Sequence, residues 1–354
     1  MQNEFLCESE SPVCSGLTAA VIKDENAYYF GLMDDYGGGV TFMLWLCNRI
    51  AAPEDWEPDR DGSFVLPRRF ITHDPAGMEL DEDSLRIVWY AAGDCAAVFD
   101  KDGLLGAIPQ YAVMGECTGY SRYLRERCRY GWPLTQNDVD SVMSWLRFAD
   151  KQWNAIHSEE IWNRFDSAYR SVYTQFAGEP EHYLHLQQDA LPHRRLWMSR
   201  KGGICYNLTV GMAQLELPYV WHVYGKDWMP HARMELGFAC KAECADAAGR
   251  MVPVMDMVIQ MPWNERDYLG HGHTIDIDPT VLPGYTGLLV LDAAQIKGMP
   301  CPPLPDILGS PSRLHWLVPI KAQEMQQIRA DAEKGLKKFL RSVWFPEAVH
   351  IFNG

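Results

Sequence analysis

Residues 268–341 contain three short apolar segments followed by an amphipathic segment. This pattern most constrains the fold of the chain. Residues 268–279 have the sequence YLGHGHTIDIDP, in which glycines precede an alternation of apolar and polar residues. GLLVLD at 287–292 and LHWLVPI at 314–320 follow, and residues 321–341 carry apolar side chains at helical spacing. Alternation with period two predicts strands, and a period of 3.6 predicts a helix. We therefore expect three strands and one closing helix.

The rest of the chain predicts a second sheet and a pair of helices. TAAVI, KDEN and AYYFGLM at 18–33 predict a β-hairpin in a first region of about 130 residues that is mostly β. Thr135 with Asp138 predicts a capping box at the start of one helix, and Ser158 predicts the cap of a second. Residues 233–241 predict a further strand. The segment MVPVMDMVIQM at 251–261 fits either a short helix or a buried strand.

A chain of 354 residues is long for one hydrophobic core, so two domains are expected. We predict an N-terminal domain at residues 1–150 and a C-terminal domain at residues 155–354. The alternation of strand and helix patterns predicts the α+β class, with a mixed or mainly antiparallel sheet and flanking helices in each domain.

The net charge of −15 limits the classes of partner. An acidic surface repels the phosphates of nucleic acids and anionic membranes, so neither is an expected partner. A basic protein would be attracted and would associate faster. The first residues show no signal-peptide pattern, no apolar run reaches the ~20 residues that span a bilayer, and the ten cysteines are scattered. These features predict reduced thiols and a cytoplasmic location.

No catalytic motif supports an enzyme. The chain has no G-x-S-x-G elbow, and the glycines at 37–39 lack the Lys-Ser/Thr of a phosphate loop. His271 and His273 have the i,i+2 spacing that places two side chains on one face of a strand, which could begin a metal site. Asp276 and Asp278 have the opposite parity and would point away from them. We predict neither a metal nor a cofactor, and a metal-dependent hydrolase that uses His271 and His273 is the alternative.

Aromatic residues supply the candidate partner-binding residues. They lie in PYVWHVYGKDWMP and MPWNERDY, two stretches punctuated by Pro or Gly, and they are Trp221, His222, Tyr224, Trp228 and Trp263. Exposed aromatic side chains anchor protein interfaces. Packing between two domains is the equally weighted alternative. We add His271, His273 and Asp276 to the predicted partner-binding set.

The order of the C-terminal motifs resembles the Suppressor of fused (SUFU) domain family. TVGM at 209–212 precedes RMELGF at 233–238, and LGHGHT at 269–274 precedes GLL at 287–289 and the closing helix pattern. The resemblance covers residues 176–354, roughly the C-terminal half. It implies an α+β fold, a mixed sheet flanked by helices, and a role in binding proteins.

The resemblance also implies a kind of partner. Animal members of the family bind and restrain a transcription factor by clamping a short peptide strand, and bacterial members resemble immunity proteins that neutralise toxins. This chain lacks the long basic-aromatic insertions of the animal members, which favours the bacterial type. We expect a non-catalytic protein that binds another protein, as the immunity or inhibitory partner of a basic toxin.

Overall fold

The protein has two compact units in a computed structural model that describes residues 4–35, 39–55, 65–114, 119–187, 191, 193–343 and 345–354. Unit 1 comprises Met1–Trp153, Trp221–Gly225 and Trp263–Arg266, and unit 2 comprises Asn154–Val220, Lys226–Pro262 and Asp267–Gly354. The division of the main segments falls between Trp153 and Asn154. That the two pieces at 1–150 and 155–354 are separate domains stays a prediction.

The first sheet of unit 1 is an antiparallel meander in the order β1–β2–β3–β4. Its strands are β1 (Glu4–Glu10), β2 (Leu17–Lys23), β3 (Ala27–Asp34) and β4 (Gly39–Asn48). The predicted hairpin is confirmed as β2 and β3. The Asp24 carboxylate accepts the backbone N–H groups of Asn26 and Ala27 at 2.7 Å and thereby holds the turn between these strands.

A second sheet of unit 1 has the order β5–β6–β7–β8–β9, so this unit has two sheets instead of one. The elements are β5 (Arg86–Trp89), β6 (Ala96–Asp100), β7 (Gly103–Ile108), β8 (Tyr120–Ser121), β9 (Trp132–Pro133) and the helix α1 (Gln136–Ile156). The predicted capping box of α1 is confirmed, because Thr135 N–H donates to the Asp138 carboxylate at 3.0 Å and Asp138 N–H donates to Thr135 Oγ1 at 3.4 Å.

Unit 2 contains one mixed sheet of eight strands. They are β10 (Pro180–Gln187), β11 (Arg194–Lys201), β12 (Ile204–Val210), β13 (Met234–Lys241), β14 (Thr274–Asp276), β15 (Gly287–Asp292), β16 (Arg313–Ile320) and β17 (Ile351–Phe352). Seven follow the order β10–β11–β12–β13–β16–β15–β14, and β17 pairs with β13. The pairs of β13 with β16 and β17 are parallel and the others are antiparallel. The α+β class with a mixed sheet is confirmed.

The described residues contain five further α-helices. They are α2 (Glu159–Ala177), α3 (Val220–Tyr224), α4 (Ala245–Glu265), α5 (Ala322–Ala330) and α6 (Ala332–Ser342). The predicted cap of α2 is confirmed, because Ser158 Oγ accepts Ile161 N–H at 3.3 Å. The ambiguous segment 251–261 lies within α4 and is therefore helical, with Pro253 inside the helix.

Helices cover both faces of the sheet in unit 2. On one face, Trp162, Tyr169 and Tyr173 of α2 pack with Trp197 and Trp316 in a buried apolar cluster. Residues of the opposite strand parity face α4: Asn207 donates to Ala248 O at 2.7 Å, and Arg194 donates to Asp256 at 3.0 Å. Burial on both faces explains why every residue of β13 except its last is buried.

Two predicted elements differ from the structure. Residues 321–341 form two helices and not one, because Asp331 is extended (φ −156°) and its carboxylate accepts Lys334 N–H at 3.0 Å as the N-cap of α6. The predicted strand HGHTIDID is a strand only at Thr274–Asp276. His271 and His273 precede it, and the positive φ of Gly272 (+90°) between them is incompatible with a continuous strand.

Gly211, the residue after β12, can be compared with Gly202 in a test of backbone crowding. Its φ is +118°, and an added Cβ would lie 2.1 Å from His193 O, whereas Gly202 has φ +59° and no atom within 4 Å of such a Cβ. We expect Gly211→Ala to lower the free energy of unfolding by about 2–4 kcal/mol and Gly202→Ala by about 1 kcal/mol. Urea denaturation measures both values. Equal losses would contradict a specific role for the contact at Gly211.

Candidate functional site

A buried carboxylate lies at the centre of the first two family-like motifs. Glu235, on β13, is 0% exposed. Its Oε2 accepts the Thr209 hydroxyl at 2.6 Å, and its Oε1 accepts the backbone N–H groups of Gly211 and Ala213 at 2.9 and 3.1 Å. Glu235 therefore holds the turn that follows β12, and the TVGM and RMELGF sequences are the two halves of one structural contact.

Arg233, the residue before β13, reinforces the same turn. It is also 0% exposed, and its guanidinium donates to Ala213 O at 3.0 Å and to Gln214 O at 2.7 Å. Its Nη2 lies 3.5 Å from Glu216 Oε1. Two residues that are two positions apart thus fix the path of residues 211–216: the Arg233 guanidinium donates to carbonyl groups, and the Glu235 carboxyl group accepts N–H groups.

Burial raises the pKa of Glu235 to about 7, against the opposing effect of the hydrogen bonds from Thr209 and the backbone. Thr209 Oγ1 also accepts Leu236 N–H at 2.7 Å. A protonated Glu235 can donate to this hydroxyl while Oε1 keeps both backbone bonds. The geometry therefore accommodates the neutral acid as well as the carboxylate.

The first four predicted aromatic residues lie in the segment that leaves this turn. Leu217 N–H donates to Ala232 O at 2.8 Å, which closes the base of residues 218–231. Trp221, His222 and Tyr224 lie on α3 and belong to unit 1, where the Trp221 ring contacts Tyr111 at a centroid distance of 5.2 Å. His222 is exposed, and Trp221 and Tyr224 are half-buried.

Trp228 and Trp263 lie in different surroundings. Trp228 belongs to unit 2 and is half-buried. Trp263 is 1% exposed and belongs to unit 1. Since a fully buried indole offers no surface to a partner, Trp263 in this structure is a packing residue. Apolar exposure in the segment is greatest at Val223 (49%) and Met229 (48%), two residues that the sequence interpretation did not select.

The two histidines of the GHGHT sequence have structural contacts. His271 Nδ1 accepts the backbone N–H of Asp292 at 3.1 Å, and the His273 ring meets Tyr268 edge-on at 5.6 Å. Burial lowers the pKa of both histidines. A neutral His271 is what this geometry requires, because a protonated Nδ1 cannot accept the Asp292 N–H.

Asp292, at the end of β15, is the main polar residue that the sequence interpretation missed. It is 0% exposed and accepts Arg313 Nη1 at 2.6 Å and Gln295 Nε2 at 3.0 Å. Its cross-strand neighbour is His315, whose pKa burial lowers to about 4. The Asp that ends GLLVLD was the sequence signal for this cluster. The other residues of the cluster come together only when β15 pairs with β16.

Asp276 is the exposed member of the predicted set. It lies on β14 and forms an ion pair with Arg329 of α5 at 2.7 Å, and Arg329 also donates to Thr274 Oγ1 at 2.8 Å. The prediction that Asp276 points to the opposite face of a strand from the histidines does not apply, because His271 and His273 lie before the strand. Asp276 and Asp278 are both exposed, whereas His271 and His273 are half-buried.

No metal centre is assembled by these residues. Among the described ranges, no group of three His, Cys, Asp or Glu side chains is placed to share a metal ion. None of the helices in those ranges is long and apolar enough to span a bilayer.

Comparison with known proteins finds a family match in the C-terminal part. Residues 192–353 match the protein family described as Suppressor of fused protein (SUFU), which confirms the resemblance for this segment. No curated protein sequence matches the chain.

Two solved structures are similar to this chain. The crystal structure of Drosophila Suppressor of fused has 13% identity and a TM-score of 0.38, over 53% of this chain and 49% of that one. The Sufu-Fu complex crystal structure has 14% identity and a TM-score of 0.37, over 54% of this chain and 88% of that one. The match thus spans about half the length of the Drosophila protein.

Replacing the buried carboxylate should change the pH dependence of stability. The folded pKa of Glu235, about 7, exceeds its ordinary value of 4.5, so its stabilising contribution is complete below pH 4.5 and is lost as the pH rises through 7. Between about pH 5 and pH 8 the native protein should lose about 1–3 kcal/mol more than Glu235→Gln, whose amide donates to Thr209 at every pH. Urea denaturation at both values measures the difference. Parallel pH profiles would refute the raised pKa.

The two Asp–Arg pairs should differ strongly in their effect on stability. The Asp292 side chain is 0% exposed in its pair with Arg313, whereas the Asp276 side chain is 70% exposed in its pair with Arg329. We expect Asp292→Asn to cost about 2–4 kcal/mol and Asp276→Asn less than about 0.5 kcal/mol. The same denaturation measurement at neutral pH tests this. A cost at Asp276 as large as that at Asp292 would contradict it.

Proposed function

We propose that this protein is a non-catalytic binding protein and, more specifically, the cytoplasmic immunity or inhibitory partner of a bacterial toxin. The match of residues 192–353 to the Suppressor of fused family supports protein binding. The resemblance to bacterial members of the family and the net charge of −15 support the finer role as an immunity or inhibitory partner. Within the described residues, nine cysteines are free thiols, which agrees with a reducing compartment.

One observation carries the proposal: the polar residues of the family-like motifs hold the backbone in place. Glu235 and Thr209 fix the turn after β12, and His271 accepts a backbone N–H from Asp292. All three groups already have hydrogen-bond partners, and Glu235 and Thr209 are fully buried. Function then falls to exposed side chains, which is the arrangement expected of a binding protein.

We propose two contacts for the partner in the segment 218–231, one in each unit. In unit 1 the contact residues are the exposed Val223 and His222, and in unit 2 they are the exposed Met229 and the half-buried Trp228. A net charge of −15 would speed the encounter of this protein with a basic partner. We retain His271, His273 and Asp276 as proposed contacts of the same partner class, with Asp276 the most exposed of the three.

The alternative of a metal-dependent hydrolase gains no supporting observation. His271 Nδ1 accepts a backbone N–H, and no third ligand lies nearby in the described part of the chain. Elemental analysis after purification without chelators remains its direct test, and stoichiometric bound zinc, manganese or iron would favour it over the binding role.

The binding proposal predicts protection from a toxin encoded beside this gene. Bacteria that express the toxin should survive only with this protein, and calorimetry should show a stoichiometric complex. The double variant Val223→Ala with Met229→Ala should weaken binding by about tenfold or more, because exposed apolar contacts are lost without loss of the core.

Met257→Ala is the matched control, because Met257 is 49% exposed on α4 and lies outside the segment. It should bind as tightly as the native protein. Survival that does not depend on this protein would contradict the proposed function. An equal loss of affinity in the control would contradict the proposed contacts.

A further inference from the structure

An apolar groove with a volume of about 440 Å³ lies within unit 2, near the C-terminal residues. The end of β16 supplies Val318 and Pro319, α6 supplies Phe339, and β17 supplies Ile351 and Phe352. None of residues 218–231 and no residue of the Asp292 cluster lines the groove. Its remaining lining residues are Tyr285, Lys321, Glu324, Val343, Phe345, Ala348, Val349 and Asn353.

Phe345 makes this groove unusual for the surface of a soluble protein. Its side chain is 66% exposed, the highest value among the large apolar residues of the described chain. The aromatic ring of Tyr285 and the aliphatic side chains of Val343 and Val349 lie along the same groove. A contiguous apolar surface of this kind commonly marks a site of binding.

Residues 321–343, several of which line the groove, are more basic than the whole chain, although the lining itself contains the acidic Glu324 as well as Lys321. Residues 321–343 contain six basic and three acidic residues, in a protein whose net charge is −15. Three of the six basic residues form ion pairs, namely Arg329, Lys334 and Lys337. Within the described residues, Lys321, Lys338 and Arg341 have no carboxylate within ion-pair distance.

Helix stability explains only part of this charge. Cations near the end of α6 compensate the helix dipole, which accounts for Arg341. Lys321 is the N-cap of α5, where a positive charge is unfavourable to the helix. Its ammonium group lies over the Tyr285 ring, 6.0 Å from the centroid, and both residues line the groove. Lys321 thus adds positive charge to the groove against the local preference of the helix.

We propose that this groove binds a short segment of another protein in which apolar side chains lie beside carboxylates. The apolar lining would bury the apolar side chains, and Lys321 in the lining would pair with an acidic group. Lys338, which is exposed and precedes the lining residue Phe339 on α6, would add long-range attraction. This partner differs in charge from the basic toxin proposed above, so the groove would be a second interaction site with its own ligand class.

Selection from a random library of peptides, each about twelve residues long, tests the proposal, with the full chain as the immobilised target. Enriched sequences should combine Leu, Ile, Phe or Trp with Asp or Glu. A fluorescein-labelled enriched peptide should lose affinity by about tenfold or more in Lys321→Glu with Lys338→Glu and in Phe345→Ala, as measured by anisotropy. Higher salt should also weaken binding.

Matched variants separate the groove from general effects. Lys151→Glu with Lys297→Glu changes the net charge by the same amount at two exposed lysines outside the groove, and Met257→Ala shortens an apolar side chain of similar exposure. Both should bind the peptide like the native protein. Equal losses in these controls would overturn the proposal.

Other occupants would also overturn it. Enrichment of basic peptides, or no enrichment, excludes the acidic segment. Self-association in light scattering that Phe345→Ala abolishes would assign the groove to a second copy of this chain. Competition of laurate with the labelled peptide at equal or higher affinity would assign it to a fatty acid.

Discussion

The hydrogen bonds of the buried Glu235 side chain are the interaction on which the C-terminal fold depends. It lies on β13, which pairs with β12, β16 and β17, so the strand that anchors the turn also joins the antiparallel and parallel parts of the sheet. Burial of Glu235 and Arg233 is costly unless their polar atoms find partners. The turn at 211–216 supplies them, and the chain path after β12 is therefore strongly constrained.

A second buried acid has a similar structural role at the other side of β16. Asp292 ends β15 and receives Arg313 and Gln295, while its own backbone N–H donates to His271. Both acids fix a loop at the end of a strand. The residues that carry the family resemblance therefore stabilise the fold.

Charge is unevenly distributed, and this has consequences for binding. The chain as a whole is acidic, yet helix α6 contains four basic residues and one acidic residue and contributes Phe339 to an apolar groove. Long-range attraction would favour basic partners, whereas the segment that we propose for the groove is acidic and would pair with Lys321. Salt would weaken both interactions, and the variants that affect one should leave the other unchanged.

The sequence by itself determined the local elements: the caps at Thr135 and Ser158, the hairpin at Asp24 and the motif order that matches the family over residues 192–353. These features depend on residues that are close together in the sequence and on the spacing of apolar residues. Only the tertiary structure decided that Trp263 is buried, that His271 bonds to Asp292 and that Asp292 lies beside His315. Those contacts join residues that are far apart in the chain, and periodicity carries no information about which strands pair.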